Sequence, residues 1–214
     1  MNKERTLFWN VDTQHDFMDK DGALYVEGAE EIKPTLKKIS EYVKNSNISM
    51  VHTSDWHYFD SEELSENPDF VNTFPNHCMA GTEGAYLIPE TKPRKFDAII
   101  NWDQYMSGHM IDNLDRPFDI LLRKDKFDFV EGNKNSNKFL KILREEFTDV
   151  YVMGVAGNVC VNQAVLGLTN DKNFLNGSFN VYVITDAISN LPNIPSCEKD
   201  WKKLGVKLIT FNQL

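Results

Sequence analysis

Short hydrophobic runs recur along this chain and alternate with segments that have the apolar spacing of a helix. The runs are rich in Val, Ile, Leu, Phe and Tyr and nearly continuous in hydrophobicity, which is typical of strands buried on both faces of a sheet. They occupy residues 6–11, 48–54, 119–123, 149–155, 180–185 and 206–211. Helical patterns cover residues 29–45, 135–147, 159–169 and 195–204. This alternation predicts an α/β fold of three layers, α/β/α, with a central, mainly parallel sheet.

The domain organisation follows from length and from the absence of internal boundaries. A chain of 214 residues is enough for one well-buried domain and marginal for two. No repeat, low-complexity tract or linker divides it, so we expect one domain over residues 1–214. Residues 92–118 interrupt the alternation with apolar and aromatic residues, among them Trp102, Tyr105, Met106 and His109. Three roles stay open for this segment: a rim over a site, an oligomer contact, or an extra strand and helix packed on the sheet.

Charge and cysteine content narrow the class of protein. The formal net charge of −9 argues against a nucleic-acid surface, which would carry a basic patch. No apolar run approaches the ~20 residues that a membrane span needs, and the charged amino terminus indicates no signal peptide. Three cysteines without framework spacing fit a reducing compartment, so we expect a cytoplasmic protein. An acidic cluster is interpreted as a solvated loop face; it comprises Asp60, Glu62, Glu63, Glu66 and Asp69.

Several hydrophobic runs lead into a residue that can take part in chemistry. Asp12, Asp55, Lys124 and Cys160 each come at or shortly after the end of a predicted strand. In an open α/β sheet, ligands bind outside the carboxyl ends of the parallel strands. Because these side chains would meet at one edge of one sheet, the pattern predicts an active site there.

Cys160 opens the helix predicted over residues 159–169, after a turn of small residues. The positive end of the helix dipole favours the thiolate, so we expect a lowered thiol pKa at this position. Backbone N–H groups at the same turn can also receive an oxyanion. The pattern predicts a nucleophile, and a cysteine buried in the core is the alternative.

Two partners for such a cysteine are expected at neighbouring strand ends. A carboxylate directly after an interior strand is buried and needs a partner or a function, so Asp12 is placed to accept the thiol proton and deliver it to a leaving amine; Asp16 is the alternative. A lysine beside the cysteine would stabilise the thiolate. Lys124 and Lys126 point the same way if the strand continues, so spacing alone does not separate them.

Asp55 and His57 form an Asp-x-His pair, and His77 follows in the next loop-rich segment. One carboxylate and two imidazoles that leave coordination positions open suit a catalytic divalent metal such as zinc. Cys78 is adjacent to His77, and since adjacent residues rarely reach one ion, we interpret Cys78 as a packing residue.

Together these segments resemble the isochorismatase-like cysteine hydrolase superfamily and are most similar to its nicotinamidase branch. The resemblance covers nearly the whole chain. Its motifs are Val11–Phe17 followed by Gly22–Leu24, Thr53–His57, His77–Gly84, Arg123–Phe127 and Gly154–Val161. It implies the Rossmann-like fold of that superfamily and a hydrolase of small amides.

The resemblance also implies roles for the residues that match these motifs. The implied catalytic residues are Asp12, Lys124 and Cys160; the aromatic residue three positions after Lys124 selects it over Lys126. The implied ligands of one divalent metal, zinc first with iron or manganese as alternatives, are Asp55, His57 and His77. An oxyanion hole falls on the amides of Ala156 and Cys160, after a cis peptide bond between Val155 and Ala156. Substrate contacts fall on Phe17, Phe74 and Val155.

The implied reaction is cysteine-dependent hydrolysis of a small carboxamide to an acid and ammonia, with nicotinamide to nicotinate as the best single expectation. A related hydrolase of another amide or ureido compound, and a non-catalytic member that binds a small ligand, are the alternatives. Four departures bear on the substrate. Asn158 stands where aspartate is frequent, and Phe74 stands where many nicotinamidases have tryptophan. Residues 92–118 lengthen the segment before Lys124, and Phe127–Asn133 differs in detail from the usual nicotinamidase sequence after the lysine. Assembly into a homo-oligomer stays open.

Overall fold

Seven parallel strands form one sheet at the centre of the fold. The structure is a computed structural model that describes residues 2–93, 95–105 and 115–214. The strands are β1 (Thr6–Val11), β2 (Ser49–Asp55), β3 (Ala98–Ile100), β4 (Asp119–Lys124), β5 (Asp149–Val155), β6 (Asn180–Ser189) and β7 (Lys207–Ile209). Their order in the sheet is β3-β4-β2-β1-β5-β6-β7, and every neighbouring pair is parallel.

Helices cover both faces of this sheet, which confirms the predicted three-layer α/β/α class. They are α1 (His15–Met18), α2 (Ala29–Asn45), α3 (Phe129–Gly132), α4 (Ser136–Glu146), α5 (Cys160–Thr169), α6 (Lys172–Leu175) and α7 (Glu198–Leu204). The longer ones are amphipathic. In α2 the buried positions Leu36, Ile39 and Val43 recur at helical spacing and face the sheet, as the sequence pattern predicts.

The hydrophobic core has two halves, one on each face of the sheet. On one face α1 and α2 pack against outward-pointing residues such as Phe8, Met50 and Tyr151. On the other face α3, α4, α5 and α7 pack around Trp9 and Val152. Side chains on both faces of the strands are therefore buried, which explains why the strands have continuous rather than alternating hydrophobicity. No helix in the described part of the chain has the length and apolar composition needed to cross a membrane.

The topology brings the expected residues to one edge. The chain fills the sheet on one side of β1 with β2, β3 and β4, and on the other side with β5, β6 and β7. The strand order therefore reverses between β1 and β5, the kind of switch point where open α/β sheets bind ligands. The carboxyl ends of β1, β2, β4 and β5 surround this point.

The structure departs from the sequence expectations at three strands. β6 continues to Ser189, and β7 ends at Ile209 before a short 3-10 helix. β3 lies within residues 92–118 and pairs with β4 at the sheet edge, which agrees with the extra-strand alternative for part of that segment. Met106 and His109, named above for the same segment, lie outside the described residues.

Candidate active site

The side chain of Lys124 connects the ends of four strands. Its Nζ lies 2.9 Å from Asp12 Oδ2, donates a hydrogen bond to Asp55 Oδ1, and lies 3.9 Å from Cys160 Sγ. All four residues are buried. A buried ammonium with two carboxylates is compensated for its loss of hydration, and here the same ammonium also contacts a thiol.

The pKa values of the two carboxylates in this cluster are shifted in opposite directions. Burial raises the pKa of Asp12, and the attraction of Lys124 offsets this effect only in part. Burial also opposes ionisation of Asp55, but Lys124 and the two neighbouring imidazoles outweigh it and hold the pKa of that carboxyl well below its usual range. Burial would lower the pKa of Lys124, yet the charges of Asp12 and Asp55 raise it well above the ordinary value. Asp12 is therefore the group of this cluster best suited to exchange a proton.

Cys160 is the first residue of α5, and its Sγ lies within 4.8 Å of carboxylate oxygens of Asp12 and Asp55. The expectation of a lowered thiol pKa is wrong: burial raises the pKa of Cys160 well above its ordinary value, and Lys124 offsets this only in part. Desolvation of a fully covered sulfur thus outweighs the helix terminus. The resting side chain is a neutral thiol that needs a base. The peptide bond between Val155 and Ala156 is cis, as the resemblance implies.

Asp55 also belongs to a second cluster, which it forms with His57 and His77. One side-chain ligand atom from each lies within 4.8 Å of the other two. Asp55 Oδ2 lies 3.9 Å from His57 Nε2 and 3.7 Å from His77 Nε2. The other nitrogen of each ring has its own contact: His57 Nδ1 with Ser61 Oγ at 3.1 Å and His77 Nδ1 with the Pro75 carbonyl at 2.8 Å. The contacts at Nδ1 leave both Nε2 atoms facing the carboxylate.

These residues fit a divalent metal. His57 Nε2 is buried and has no hydrogen-bond partner within the described residues, an arrangement that is costly unless a ligand satisfies the nitrogen. Burial lowers the pKa of His57 to about 4, so its ring is neutral at physiological pH, which is the form that binds a metal. One carboxylate and two oriented imidazoles match the donor set of a catalytic zinc site with open positions.

A narrow cavity connects the two clusters. Asp55, His77 and Cys160 line it, together with Phe17, Leu24, Val26, Glu63, Phe74, Phe127, Ala156, Val159 and Leu191. Of the expected substrate contacts, Phe17 and Phe74 therefore reach the cavity. Val155 does not line it and is buried in the core on the α2 face.

Glu63 is a cavity residue that the sequence analysis misplaced. Its interpretation as part of a solvated acidic face is wrong, since its side chain is buried and lines the cavity. Glu63 Oε2 accepts a hydrogen bond from the Phe127 amide at 2.7 Å. Burial and the charge of Asp55 raise its pKa to about 8. A cluster of acidic letters in a loop gives no signal that one member turns inward.

The three residues weighed as alternatives for the site, Asp16, Lys126 and Cys78, make other contacts. Asp16 accepts hydrogen bonds from the amides of Cys78 and Ala23, a structural role. Lys126 lies at the surface 3.4 Å from Glu62. Cys78 is buried and lies outside the two clusters of metal-ligating groups found in the described residues, in agreement with its interpretation as a packing residue.

Two amide side chains fix the segments that carry the site. Gln14 donates hydrogen bonds to the carbonyls of Asp55 and Ala85 and accepts one from the Asp55 amide, which joins the turn after β1 to the end of β2. Asn158 accepts from the Leu191 amide and donates to two carbonyls of the loop after β6. The amide group of Asn158 supplies the donors for these carbonyls, which an aspartate would lack.

Comparison with known proteins finds relatives in sequence and in fold. The chain is 28% identical over 156 residues to the nicotinamidase/pyrazinamidase of Mycobacterium tuberculosis, covering 72% of this chain and 73% of that protein. Its fold is similar to that of the pyrazinamidase of Pyrococcus horikoshii in complex with zinc (TM-score 0.65, 24% identity, 97% and 99% of the two chains covered). It is also similar to PnC1 of L. infantum in complex with nicotinate (TM-score 0.69, 18% identity, 99% and 96% covered).

A family model also matches the chain. The model of the isochorismatase domain matches residues 6–194, a range that contains all four strand ends and both clusters described above. The chain therefore belongs to the isochorismatase family of hydrolases.

Proposed function

We propose that this protein is a cysteine-dependent amidohydrolase of a small heteroaromatic carboxamide, with nicotinamide to nicotinate as the leading reaction. The observation that carries the proposal is the position of Cys160 Sγ within 4.8 Å of an Asp12 oxygen and 3.9 Å from Lys124 Nζ. A thiol, an acceptor for its proton and a cation are the three groups that nucleophilic acyl transfer needs. The nicotinamidase/pyrazinamidase relative supports the choice of substrate.

The chemistry begins with the neutral thiol. Asp12 takes the proton from Cys160 as the sulfur attacks the carboxamide carbon, and its raised pKa makes its carboxylate a stronger base. Lys124 stabilises the negative charge that develops at the sulfur. The amides of Ala156 and Cys160 receive the oxyanion of the tetrahedral intermediate.

The second half of the reaction returns the proton. Asp12 gives it to the departing nitrogen, so ammonia leaves and an acyl thioester remains on Cys160. Water then attacks the thioester with Asp12 again as the base, which releases the carboxylic acid and restores the thiol. The net reaction consumes one carboxamide and one water and yields one acid and one ammonia.

A divalent metal would be held by Asp55, His57 and His77, of which Asp55 and His77 line the cavity. When bound, such an ion acts as a Lewis acid that can orient a ring nitrogen or a water. Zinc is proposed first, by the donor set and by the zinc-bound pyrazinamidase neighbour. The flat side chains of Phe17 and Phe74, whose rings lie 5.4 and 6.1 Å from the His77 ring, support an aromatic substrate beside it.

Ammonia release from a panel of amides tests the proposal. Nicotinamide, pyrazinamide, benzamide and a carbamoyl amino acid are given to the purified protein with and without added zinc. Fastest turnover of the two amides with a ring nitrogen supports the leading reaction. Preference for the carbamoyl compound assigns the site to the ureido alternative, and ammonia from none of them contradicts the proposed activity.

A further inference from the structure

The cavity of the candidate active site opens among half-buried apolar side chains. Most of its lining residues are buried. Four of them keep contact with solvent, so the mouth of the cavity lies among these four; they are Leu24, Phe127, Val159 and Leu191. Each belongs to a different connection between elements of the fold. Loops rather than strands therefore shape the mouth, which is where enzymes commonly carry their specificity.

Leu191 lies in a connection that has little hydrogen bonding of its own, residues 190–196 between β6 and α7. Pro192 and Pro195 have no backbone N–H to donate. Among the described residues, no backbone-to-backbone hydrogen bond involves residues 191–196. Leu191 packs against the core on the α2 face, but residues 192–196 are exposed. A segment with so few contacts is readily displaced, so the position of Leu191 depends on whatever else holds it.

The side chain of Asn158 supplies that hold. Asn158 is buried and lies two residues before Cys160. Its Oδ1 accepts a hydrogen bond from the Leu191 amide at 2.9 Å, and its Nδ2 donates to the carbonyls of Leu191 at 2.9 Å and Ile194 at 2.8 Å. Every hydrogen bond that the structure gives to residues 191–194 comes from this one side chain. The turn of the nucleophile and the mouth of the cavity are therefore joined through Asn158.

We infer that Leu191 is a specificity-determining residue at the mouth and that Asn158 is the residue that positions it. The inference rests on the proposed function, because it concerns the amide that enters the cavity. Leu191 is held beside a narrow space, so it limits that amide to a single small ring. Apolar contacts of this kind distinguish substrates by size.

An asparagine is needed at position 158 because of the two carbonyls that it contacts. Aspartate would keep an acceptor for the Leu191 amide, but an ionised carboxylate has no N–H for the carbonyls of Leu191 and Ile194. Its negative charge would also face both carbonyl oxygens. Asn158→Asp should therefore release the connection while changing the shape of the side chain very little.

Steady-state kinetics with nicotinamide and the two-ring quinoline-3-carboxamide test the inference. Leu191→Ala should raise KM for nicotinamide about tenfold with kcat nearly unchanged, and should raise kcat/KM for the larger amide relative to nicotinamide. Asn158→Asp should change both quantities in the same direction. Asn193→Asp is the matched control, since it adds the same charge at an exposed position of the same connection, and it should behave as wild type.

The double variant shows whether Asn158 acts through Leu191. If it does, Asn158→Asp should change KM by less than about twofold once Leu191 is alanine, because coupled substitutions are not additive. Hydrogen exchange of the peptide that contains residues 190–196 gives a measurement without turnover. Exchange should be faster in Asn158→Asp than in wild type or Asn193→Asp, since two of the three hydrogen bonds to the connection are lost.

Three results would overturn the inference. Additive effects of the two substitutions on KM would show that Asn158 acts separately from Leu191. An unchanged KM and amide preference in Leu191→Ala would exclude Leu191 from specificity, even if Asn158→Asp did not fold. Wild-type exchange in Asn158→Asp would show that Asn158 does not hold the connection. Failure of the proposed function is distinguishable, because wild type would then release no ammonia from either amide while exchange still reports on Asn158.

Discussion

The candidate site consists of two regions that are constructed differently. We use "floor" for Asp12, Asp55, Lys124 and Cys160, which come from strand ends or the first turn of a helix, and "wall" for Glu63, Phe74 and His77, which come from the long connection after β2. Floor residues are held by the sheet register and by one shared ammonium. Wall residues are held by isolated backbone and ring contacts. The comparison indicates that the sheet fixes the groups proposed to break the amide bond, whereas loops carry the proposed aromatic substrate contact and one proposed metal ligand.

The largest effect is expected at the centre of the floor. Lys124→Met leaves the carboxylates of Asp12 and Asp55 buried without their cation, and breaking such a pair costs about 3–5 kcal/mol. Amide hydrolysis should also be lost, since both the thiol and its base lose their partner. Urea unfolding and ammonia release measure the two effects. Lys126→Met is the control, and equal losses in that variant would show that the assignment of the lysine is wrong.

Asp12→Asn should abolish turnover while the fold survives. The amide has nearly the shape of the carboxylate but cannot accept the thiol proton, and loss of a general base lowers the rate by about 10²–10⁴-fold. Turnover with circular dichroism as the folding check measures this prediction. Asp16→Asn is the comparison, because Asp16 contacts backbone amides rather than the thiol. Normal turnover in Asp12→Asn would contradict the proposed role of the floor.

Metal content tests whether Asp55, His57 and His77 hold a divalent ion. His57→Ala and His77→Ala should each lose most of the bound divalent ion, because each removes one of the three proposed ligands. The control is His52→Ala, since His52 contacts Asn10 inside the sheet. Elemental analysis of the purified variants gives the answer, and one metal per chain retained in both ligand variants would refute this ligand set.

Glu63 should affect how stability depends on pH in the metal-free protein. Its pKa is raised from 4.5 to about 8 by burial and by Asp55, so the folded state keeps a proton that the unfolded chain releases between those pH values. Stability should therefore fall as pH rises through this window, with a slope of up to about 1.4 kcal/mol per pH unit from this group. Glu63→Gln should flatten the dependence in urea unfolding with a chelator present. Glu62→Gln is the exposed control, and identical slopes in Glu63→Gln and wild type would contradict the buried, protonated state.

The smallest effect is expected at the rim. Trp102 lines a separate groove beside Lys126, and the Tyr105 side chain is 80% exposed. If residues 92–118 shape substrate choice, Trp102→Ala and Tyr105→Ala should change KM by a few-fold with kcat unchanged. A change in mass by light scattering would instead assign the segment to an oligomer contact. A change in thermal stability alone would leave only the extra strand as its role.

The sequence predicts the floor better than the wall for a physical reason. A strand buried on both faces has a continuous apolar pattern, so the ends of β1, β2, β4 and β5 can be located and their polar residues placed at one sheet edge. The burial of Glu63 depends on Phe127, which is distant in sequence, and no local pattern carries that contact. β3 has only three residues, too few for a periodic signal.

Two further properties of the site depend on the folded sheet: how deeply Cys160 is buried, and which of Val155 and Ala156 reaches the cavity. The helix terminus at Cys160 is visible in the sequence, but the depth of burial that raises its pKa is a property of the assembled layers. Val155 is adjacent to the motif residue Ala156 and both are buried in the core on the α2 face, yet only Ala156 lines the cavity. Sequence motifs therefore locate the site to within one residue, and the folded sheet decides which neighbour reaches the cavity.

The central claim is that Cys160 forms a covalent acyl intermediate with a carboxamide. The direct measurement is rapid acid quenching of wild type with nicotinamide, followed by mass spectrometry of the intact chain and its peptides, together with ammonia release by Cys160→Ala. The account predicts an added acyl group on the peptide that contains Cys160, and no ammonia from Cys160→Ala, whereas Cys78→Ala and Cys197→Ala stay active. Ammonia release by Cys160→Ala at the wild-type rate would contradict it.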